Sequence, residues 1–229
     1  MKIKEIITED DEFNQYEPHN PFAPRGPLTP AEVKTVNNYK QLADIIETNC
    51  GQMLSVYRKT NKILWCRIHN VNESAVIMNI RPDRLPVEMP LKAHYRLKKV
   101  FDYLGLKANR SNSIFCTTNM QTAGDWGKPF VIFVRDGWVG TVWQSLPDEY
   151  FFDEVYNSAT DPRFANDIPG LAERIKELQP LVVTPENLDG VLYEDFKDIL
   201  ITGTSYIGLR YGTEPYLNVI ELLNLHPTN

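Results

Sequence analysis

Residues 111–134 combine side chains that suit a phosphate or ribose ligand. Residues 113–118 are rich in aromatic and β-branched types, which predicts a strand that ends in the hydroxyls of Thr117 and Thr118. Residues 119–127 have the composition of a short capped helix closed by a glycine. Such a corner brings hydroxyls and backbone N–H donors to one place, where a phosphate can bind. The alternative interpretation is an ordinary strand-to-helix corner with solvated threonines.

Composition and charge exclude several classes of protein. The 229 residues are 42% hydrophobic and 24% charged, which is typical of one globular domain with room for a small appendage. A net charge of −6 and no run of Lys or Arg argue against direct nucleic-acid binding. No apolar stretch approaches the length of a membrane span. The 3 cysteines indicate buried, reduced thiols in a cytosolic setting, and the 4 scattered histidines show no zinc spacing, so no metal site is expected.

The N-terminal part divides into two segments before the domain. Residues 1–9 form a small amphipathic unit that is too short and too charged for a secretory signal. Residues 10–28 are rich in proline and begin with acids, which predicts a flexible linker. Thr29-Pro30-Ala31-Glu32 has the pattern of a helix start, so residues 29–229 are predicted to form a single domain.

The spacing of apolar residues predicts strands and helices throughout this domain. Predicted strands cover residues 53–58, 63–69, 75–80, 113–118, 129–134, 138–143, 198–201 and 206–210. Predicted helices cover residues 29–46, 91–104, 119–127, 148–156, 171–178 and 213–225. Gly51 is expected to break the first helix, and residues 180–190 are predicted to be irregular.

Three strand motifs occur in an order that resembles the mono-ADP-ribosyltransferase superfamily of the Arg, Ser, Glu type. That family has an Arg on its first core strand, often in a Tyr-Arg pair, and Tyr57-Arg58 is similar to it. Its Phe-x-Ser-Thr-Ser strand resembles Phe115-Cys116-Thr117-Thr118-Asn119. Its acidic residue opens a strand of the form Glu-Ile-Leu-Leu-Pro, which resembles Asp198-Ile199-Leu200-Ile201-Thr202-Gly203. The turn Ala123 to Gly127 is also similar to the element after the serine strand, and the resemblance covers about residues 50–210.

The resemblance implies both a fold and an activity. The implied fold is α+β, an ADP-ribosyltransferase-like split β-sandwich in which two antiparallel sheets with edge helices enclose a cleft. The implied activity is that of a glycosyltransferase, which moves ADP-ribose from NAD to an acceptor. NAD is then the substrate rather than a resident cofactor.

The resemblance also implies roles for individual residues. Breaking the nicotinamide–ribose bond builds positive charge on the ribose, and Asp198 is the expected catalytic acid that stabilises this charge. Thr117 is the expected orienting hydroxyl, and Arg58 is expected to hold the NAD phosphates. Further contacts with NAD are expected from Tyr57, Thr118, Trp126 and Phe130. We expect Arg58, Thr117 and Asp198 to face one cleft.

The motifs depart from the family at three positions. Lys59 stands where the family has a glycine, Thr117 replaces the serine, and Asp198 is shorter than the glutamate by about one methylene. A strict search for a glutamate leads to Glu194 or Glu214 instead. A catalytically inactive virion or interaction protein on the same fold is therefore the alternative function. Arg81 and Arg84 also lie where they could contact phosphates, or form structural ion pairs.

The N-terminus carries a second resemblance. Residues 1–9, MKIKEIITE, are similar to the capsid-targeting peptides of internal head proteins in T-even-type phages. Those peptides end in Ile or Leu, any residue, and Glu, after which the prohead protease cuts, and Ile7-Thr8-Glu9 fits this pattern. The alternative is a helix that packs on its own domain. The resemblance implies a protein carried in the virion interior and injected into the host cytoplasm, where its partners are NAD and a host acceptor protein.

Overall fold

A computed structural model of the chain describes residues 33–35, 38–68, 71–85, 89–125, 127–143, 155, 157–194 and 197–227. The described strands are β1 (Val33–Thr35), β2 (Trp65–Arg67), β3 (Ala75–Asn79), β4 (Ile114–Thr117), β5 (Pro129–Val134), β6 (Val139–Trp143), β7 (Pro180–Val183), β8 (Asp198–Thr202) and β9 (Ser205–Arg210). The described helices are α1 (Tyr39–Asn49), α2 (Gly51–Thr60), α3 (Leu91–Tyr103), α4 (Met120–Asp125), α5 (Ile168–Glu177), α6 (Leu188–Leu192), α7 (Glu214–Leu222) and the 3-10 helix Pro162–Phe164.

These strands form one open antiparallel sheet in the order β1-β3-β9-β5-β2-β4-β8-β6-β7. Eight strands make up its body, and the three-residue strand β1 extends it at one edge. The prediction of an α+β fold is therefore confirmed. The prediction of two separate sheets is wrong, because β2 pairs with β5 on one side and with β4 on the other.

Strand β2 joins the two halves of the sheet through a short register. Trp65 lies opposite Val131 of β5 and opposite Thr117 of β4. Cys66 lies opposite Phe130 and Cys116 in the same way. Since alternate residues of a strand point to opposite faces, this register also fixes which side chains share a face across the junction.

Helix α2 corrects one strand prediction. Residues 53–58 were predicted to form a strand, yet they lie inside a helix that begins at Gly51 and ends before Asn61. Its buried residues include Met53, Val56 and Tyr57, spaced by three and four positions, so the helical period determines the local structure. Asn61 closes the helix in the left-handed conformation, with φ 54°, which asparagine tolerates well.

The N-terminal helix prediction is partly wrong. Residues 33–35 form strand β1 against β3, and α1 begins only after Asn38, whose side chain accepts a hydrogen bond from the Gln41 N–H at 3.1 Å. The predicted appendages 1–9 and 10–28 and the helix start at residue 29 lie outside the described residues.

Later elements agree better with the sequence. Strand β5 has the predicted bounds, and the predicted helix at residues 91–104 corresponds to α3. Residues 180–190 were expected to be irregular, but they contribute β7 and the start of α6. Strand β7 is partly exposed and completes the sheet at the edge beside β6, which a pattern of apolar residues detects poorly.

Helices cover both halves of one face of the sheet. On one half, Tyr57 of α2 contacts Phe133 of β5 edge to face, with ring centroids 5.6 Å apart. On the other half, α3 packs against α5, and the two helices share a hydrophobic cluster with Leu200 of β8 and partly buried Phe115 of β4. The register from β5 through β2 to β4 shows that Phe133 and Phe115 lie on the same face.

Tyr57 connects α2 to the sheet through its hydroxyl. The group donates to the Ile132 carbonyl at 3.0 Å and accepts from the Leu64 N–H at 3.1 Å, and the side chain is 0% exposed. We predict that Tyr57→Phe lowers the free energy of unfolding by about 1–3 kcal/mol, because it leaves a buried N–H without its partner. Urea denaturation measures the change.

The matched control is Tyr103→Phe, since Tyr103 is 62% exposed. That change should alter the free energy of unfolding by less than about 0.5 kcal/mol. Equal effects of the two substitutions would show that the buried hydroxyl of Tyr57 does not stabilise the fold.

Candidate functional site

Thr117 and Asp198 lie directly opposite each other on neighbouring antiparallel strands, β4 and β8. Side chains in such a position have Cβ atoms about 4.5–5.5 Å apart on the same face of the sheet. Thr117 is 1% exposed, whereas Asp198 is half-buried. The structure therefore brings together a hydroxyl and a carboxylate from two motifs that are far apart in the sequence.

Thr118 fixes the relative position of these two strands. Its N–H donates to the Lys197 carbonyl at 3.1 Å, and its hydroxyl oxygen accepts from the Lys197 N–H at 3.1 Å. The hydroxyl also donates to the Glu194 carbonyl at 2.9 Å. Thr118 was expected to contact NAD, but these three hydrogen bonds hold the backbone just before Asp198.

The ammonium group of Lys197 lies close to these hydrogen bonds. The residue is 9% exposed, and its Nζ lies 3.1 Å from a carboxylate oxygen of Glu194 and 3.4 Å from the Trp143 carbonyl. The Glu194 carboxylate, one of the two alternative acids, is therefore near the start of β8. Glu214, the other alternative, opens α7. Desolvation raises the pKa of Tyr39, and the carboxylate of Glu214 acts in the same direction.

Polar groups in the corner after β4 form hydrogen bonds with one another. The Thr117 hydroxyl oxygen accepts from the Asn119 N–H at 3.2 Å, and the Asn119 side chain accepts from the Thr122 N–H at 2.9 Å. Helix α4 has only six residues, Met120–Asp125. The predicted use of its N-terminus for a phosphate is therefore weaker than the sequence indicated, and the alternative of an ordinary corner gains support.

Arg58 does not lie with Thr117 and Asp198. It is on helix α2, so its predicted place on a strand is wrong. Its Nη2 lies 2.6 Å from a Glu47 carboxylate oxygen, and its Nε donates to the Leu223 carbonyl at 3.1 Å. Helix α2 packs over β5, and β2 separates β5 from β4, so the expectation of one cleft shared by all three residues is not met.

Three other residues were expected to contact NAD. Tyr57 is 0% exposed and its hydroxyl bonds only to backbone groups among its described contacts. Phe130 is also 0% exposed, and its pairing with Cys66 places it on the opposite face from Thr117. Both therefore serve the core. Trp126 lies outside the described residues.

Arg67 is a candidate that the sequence analysis missed. It is exposed at the end of β2 and shares a face with Trp65, which lies opposite Thr117. Arg67, Thr117 and Asp198 thus occupy one face of three neighbouring strands. Gly127 packs against its stem with φ 144°, and a Cβ there would lie 3.1 Å from the Arg67 Cδ. The available signal was an arginine that closes an apolar strand, in Trp65-Cys66-Arg67.

Arg81 and Arg84 differ in their surroundings. Arg81 Nε lies 3.7 Å from an Asp83 carboxylate oxygen, in an exposed pair of little energetic weight. Arg84 is half-buried and its Nη1 donates to the Ser113 carbonyl at 2.7 Å, next to the start of β4. Only Arg84 is therefore fixed against a strand of the candidate site.

Within the described ranges, His, Cys, Asp and Glu side chains form no group of three or more that could hold a metal ion. No helix in that part of the chain combines the length and apolar character needed to cross a bilayer.

Comparisons with known proteins identify no relative. No protein-family model, curated protein or solved structure gives a match to this chain.

His94 is a buried histidine on α3, next to the segment that leads into β4. It is 3% exposed, and its Nε2 lies 3.0 Å from the Ser111 hydroxyl. Burial lowers the pKa of His94 from 6.5 to about 4, and the charges of Arg110 and Lys98 act in the same direction. His94 is therefore neutral at pH 7.

This shift makes stability depend on pH. Because the folded-state pKa of His94 lies below the unfolded value, the stabilisation is complete above pH 6.5 and is lost as the pH falls towards 4. The loss attributable to this residue is about 3 kcal/mol over that window. We predict that His94→Gln flattens the decline of unfolding free energy between pH 6.5 and 4, measured by urea denaturation.

The control is His226→Gln, because His226 is exposed near the C-terminal end of the described chain. A flattening of the same size in this variant would show that the effect does not belong to the buried His94. A His94→Gln profile as steep as the parent's contradicts the assignment, whatever the absolute stability of the variant.

Proposed function

We propose that the protein is an NAD-dependent mono-ADP-ribosyltransferase whose reaction takes place where β4 and β8 meet. The single observation that carries this proposal is the direct opposition of Thr117 and Asp198 on one face of the sheet. These are the two motif residues that the resemblance assigns to the ribose. Their adjacency in space agrees with that assignment, although 80 residues separate them in the chain.

The proposed reaction breaks one bond and forms another at the same carbon. The bond between nicotinamide nitrogen and ribose C1′ breaks, and its electron pair leaves with neutral nicotinamide. The Asp198 carboxylate stabilises the positive charge that develops on the ribose, while the Thr117 hydroxyl orients the acid and the sugar. A nucleophilic side chain of the acceptor protein then attacks C1′ and loses its proton.

In this proposal Arg67 takes the role first given to Arg58. Arg67 shares a sheet face with Thr117 and Asp198, whereas the guanidinium of Arg58 bonds to Glu47 and to the Leu223 carbonyl. An arginine can hold a pyrophosphate through two parallel N–H bonds. Exposure of Arg67 suits contact with a ligand that arrives from solvent.

The alternative is a non-catalytic interaction or virion protein. Two observations favour it: Thr117 is 1% exposed, and its hydroxyl oxygen already accepts a hydrogen bond from the Asn119 N–H. A ligand that reaches this hydroxyl must displace neighbouring groups. The shorter acid at position 198 also places the carboxylate farther from a ribose than a glutamate would.

The N-terminal segment is the basis for proposing where the enzyme is carried and where it acts. By its resemblance to capsid-targeting peptides, we propose that residues 1–9 direct the chain into a phage head and are then removed. Injection with the phage DNA would deliver the enzyme to the host cytoplasm, where NAD and acceptor proteins are present. No direct nucleic-acid contact is part of this proposal.

We predict that Asp198→Asn lowers NAD turnover by about a hundredfold or more while NAD affinity changes little. A carboxylate directed at a developing cation acts mainly in the transition state, so its loss affects turnover more than binding. Asp198→Glu should retain or raise activity, because it restores the family's acid. The measurement is nicotinamide release from labelled NAD, with binding followed by calorimetry.

The matched control acid is Glu194→Gln, because Glu194 lies close to the same strand but pairs with Lys197. It should leave turnover within about threefold of the parent. Full activity in Asp198→Asn together with a loss in Glu194→Gln would transfer the catalytic role to Glu194. Absence of NAD cleavage by the parent, with host lysate as acceptor, would support the interaction-protein alternative.

The two arginines give a paired test of the phosphate contact. Arg67→Gln should weaken NAD binding by about tenfold or more, since a charge-assisted contact to the diphosphate is lost. Arg58→Gln should lower stability slightly and leave NAD affinity unchanged, because its described partners are Glu47 and Leu223. The opposite result would return Arg58 to the site.

Processing supplies a separate prediction. Cleavage after Ile7-Thr8-Glu9 should give a mature protein that begins at Asp10. N-terminal sequencing of protein recovered from virions checks this. An intact Met1-Lys2 terminus in that protein contradicts removal of the segment without affecting the proposed enzymatic activity.

A further inference from the structure

Two buried cysteines lie directly opposite each other where the two halves of the sheet meet. Cys66 of β2 pairs with Cys116 of β4, and their side chains are 3% and 2% exposed. Both are free thiols. Within the described residues, the register of β2 with β4 consists of this pair and of Trp65 with Thr117. The two thiols therefore lie at the short pairing that joins the two halves.

The hydrogen bonds of β2 show which way the backbone groups of Cys66 point. The Ile132 N–H donates to the Leu64 carbonyl at 3.3 Å, and the Tyr57 hydroxyl bridges the other two backbone groups of the same residue pair. Residues of an antiparallel strand direct their N–H and carbonyl groups alternately to one neighbouring strand and to the other. Leu64 and Cys66 therefore direct these groups towards β5, whereas Trp65 directs them towards β4.

Strand β4 shows the complementary pattern. The Thr118 N–H donates to the Lys197 carbonyl at 3.1 Å, so by the same alternation Cys116 directs its backbone groups towards β8. Cys66 and Cys116 are therefore a non-hydrogen-bonded pair, in which the opposite Cα atoms are about 4.5 Å apart and the side chains approach most closely. Disulfides span Cα separations of about 4.4–6.8 Å, so the register of the sheet is compatible with a disulfide between these residues.

The third thiol, Cys50, has a different position. It lies between α1 and α2, and its Sγ donates to the Phe133 carbonyl at 3.5 Å. The residue of β5 opposite Cys66 is Phe130, and three residues of a strand span about 10 Å. Cys50 therefore lies beside a different part of β5, whereas the register makes Cys66 and Cys116 direct neighbours.

We propose that Cys66 and Cys116 are a redox-sensitive pair that hydrogen peroxide converts to a disulfide across the junction of β2 and β4. One sulfur attacks a peroxide oxygen, so that an S–O bond forms, the O–O bond breaks, and the departing hydroxide and the thiol proton form water. The second sulfur then attacks the sulfenic acid, so that the S–S bond forms, the S–O bond breaks, and a second water leaves with the other thiol proton. The two sulfurs lose two electrons, and one peroxide is reduced to two molecules of water.

Burial determines which oxidant reaches the pair and how fast it reacts. Both side chains are almost inaccessible, so a small peroxide suits the site better than a bulky disulfide reagent. Burial also raises the pKa of both thiols, which lowers the fraction of reactive thiolate at pH 7. We therefore expect a slow response to sustained oxidation, with a rate that rises with pH.

The disulfide would secure the short pairing between the two halves of the sheet. It closes a loop of about 50 residues, and such a cross-link stabilises a fold mainly by restricting the unfolded chain. The two sulfurs lie on the face opposite Thr117, because Cys116 and Thr117 are successive residues of one strand. The link therefore fixes the register of β2 without covering the face of the proposed reaction centre, and it does not rest on the proposed function.

The test exposes the folded full-length protein to hydrogen peroxide and then alkylates the remaining thiols after denaturation. We expect the 3 alkylatable thiols of the parent to fall to one, and non-reducing mass spectrometry to find a peptide link between Cys66 and Cys116. The oxidised protein should unfold at a higher urea concentration than the reduced protein, and dithiothreitol should reverse this shift.

The matched control is Cys50→Ala, which keeps the proposed pair. It should form the same link and show the same rise in the urea midpoint. Cys66→Ala and Cys116→Ala each remove one partner, so neither should form a link or gain resistance to urea. The reduced form of each variant is measured first, which separates the effect of the substitution on stability from the effect of oxidation.

A folded parent in which peroxide produces no link between Cys66 and Cys116 would overturn the proposal, whether the thiols stay free or are oxidised to sulfinic acids. A link to Cys50, or a link between two molecules, would overturn it as well. So would a link between Cys66 and Cys116 that lowers the urea midpoint, because the native register would then not accommodate the disulfide.

Discussion

Strand β2 hydrogen-bonds along both of its edges, and the arrangement of the rest of the sheet depends on this. Only three residues long, it pairs with β5 on one side and with β4 on the other. It is the strand through which the half of the sheet that carries α1, α2 and α7 pairs with the half that carries the candidate site. A shift of its register by one residue would turn Trp65 and Arg67 to the opposite face. The arrangement of the candidate site therefore depends on the pairing of the three-residue strand β2.

The same region shows why position alone does not make a catalytic centre. Thr118, Lys197 and Glu194 form a network of backbone and side-chain contacts that places Asp198 opposite Thr117. Such a network gives the positional accuracy that catalysis requires, and it also gives stability to a strand pair with no catalytic role. Catalysis requires that a ligand reach the half-buried carboxylate of Asp198 and the nearly buried hydroxyl of Thr117. Whether the pair acts in catalysis therefore depends on whether a ligand can reach these two side chains.

The sequence predicted the later part of the fold better than the earlier part. The apolar run of β5 and the amphipathic pattern of α3 were strong enough to give nearly correct bounds. Helix α2 was predicted as a strand because Met53 to Arg58 was interpreted as an alternating pattern, whereas its buried residues repeat at helical spacing and pack against β5. The single sheet was not predictable from the motifs, because the partners of β2 are distant in the chain.

The candidate site was predicted to a similar, partial extent. Thr117 and Asp198 came from motif order and are neighbours in space. Arg58 was chosen for its Tyr-Arg context, but a side chain on a helix over β5 is held by Glu47 and Leu223 instead. The role proposed for Arg67 depends on the register of β2, since its relation to Thr117 is a property of the sheet and not of the sequence.

The most direct test of Thr117 and Asp198 as the reaction centre is a crystal structure of the full chain with ADP-ribose bound. We expect ribose density within hydrogen-bond distance of the Asp198 carboxylate, on the face of the sheet shared with Thr117 and Arg67. Ribose density on the other face of the sheet, or over the half that carries Arg58, would contradict the claim that the Thr117 and Asp198 pair is the working site.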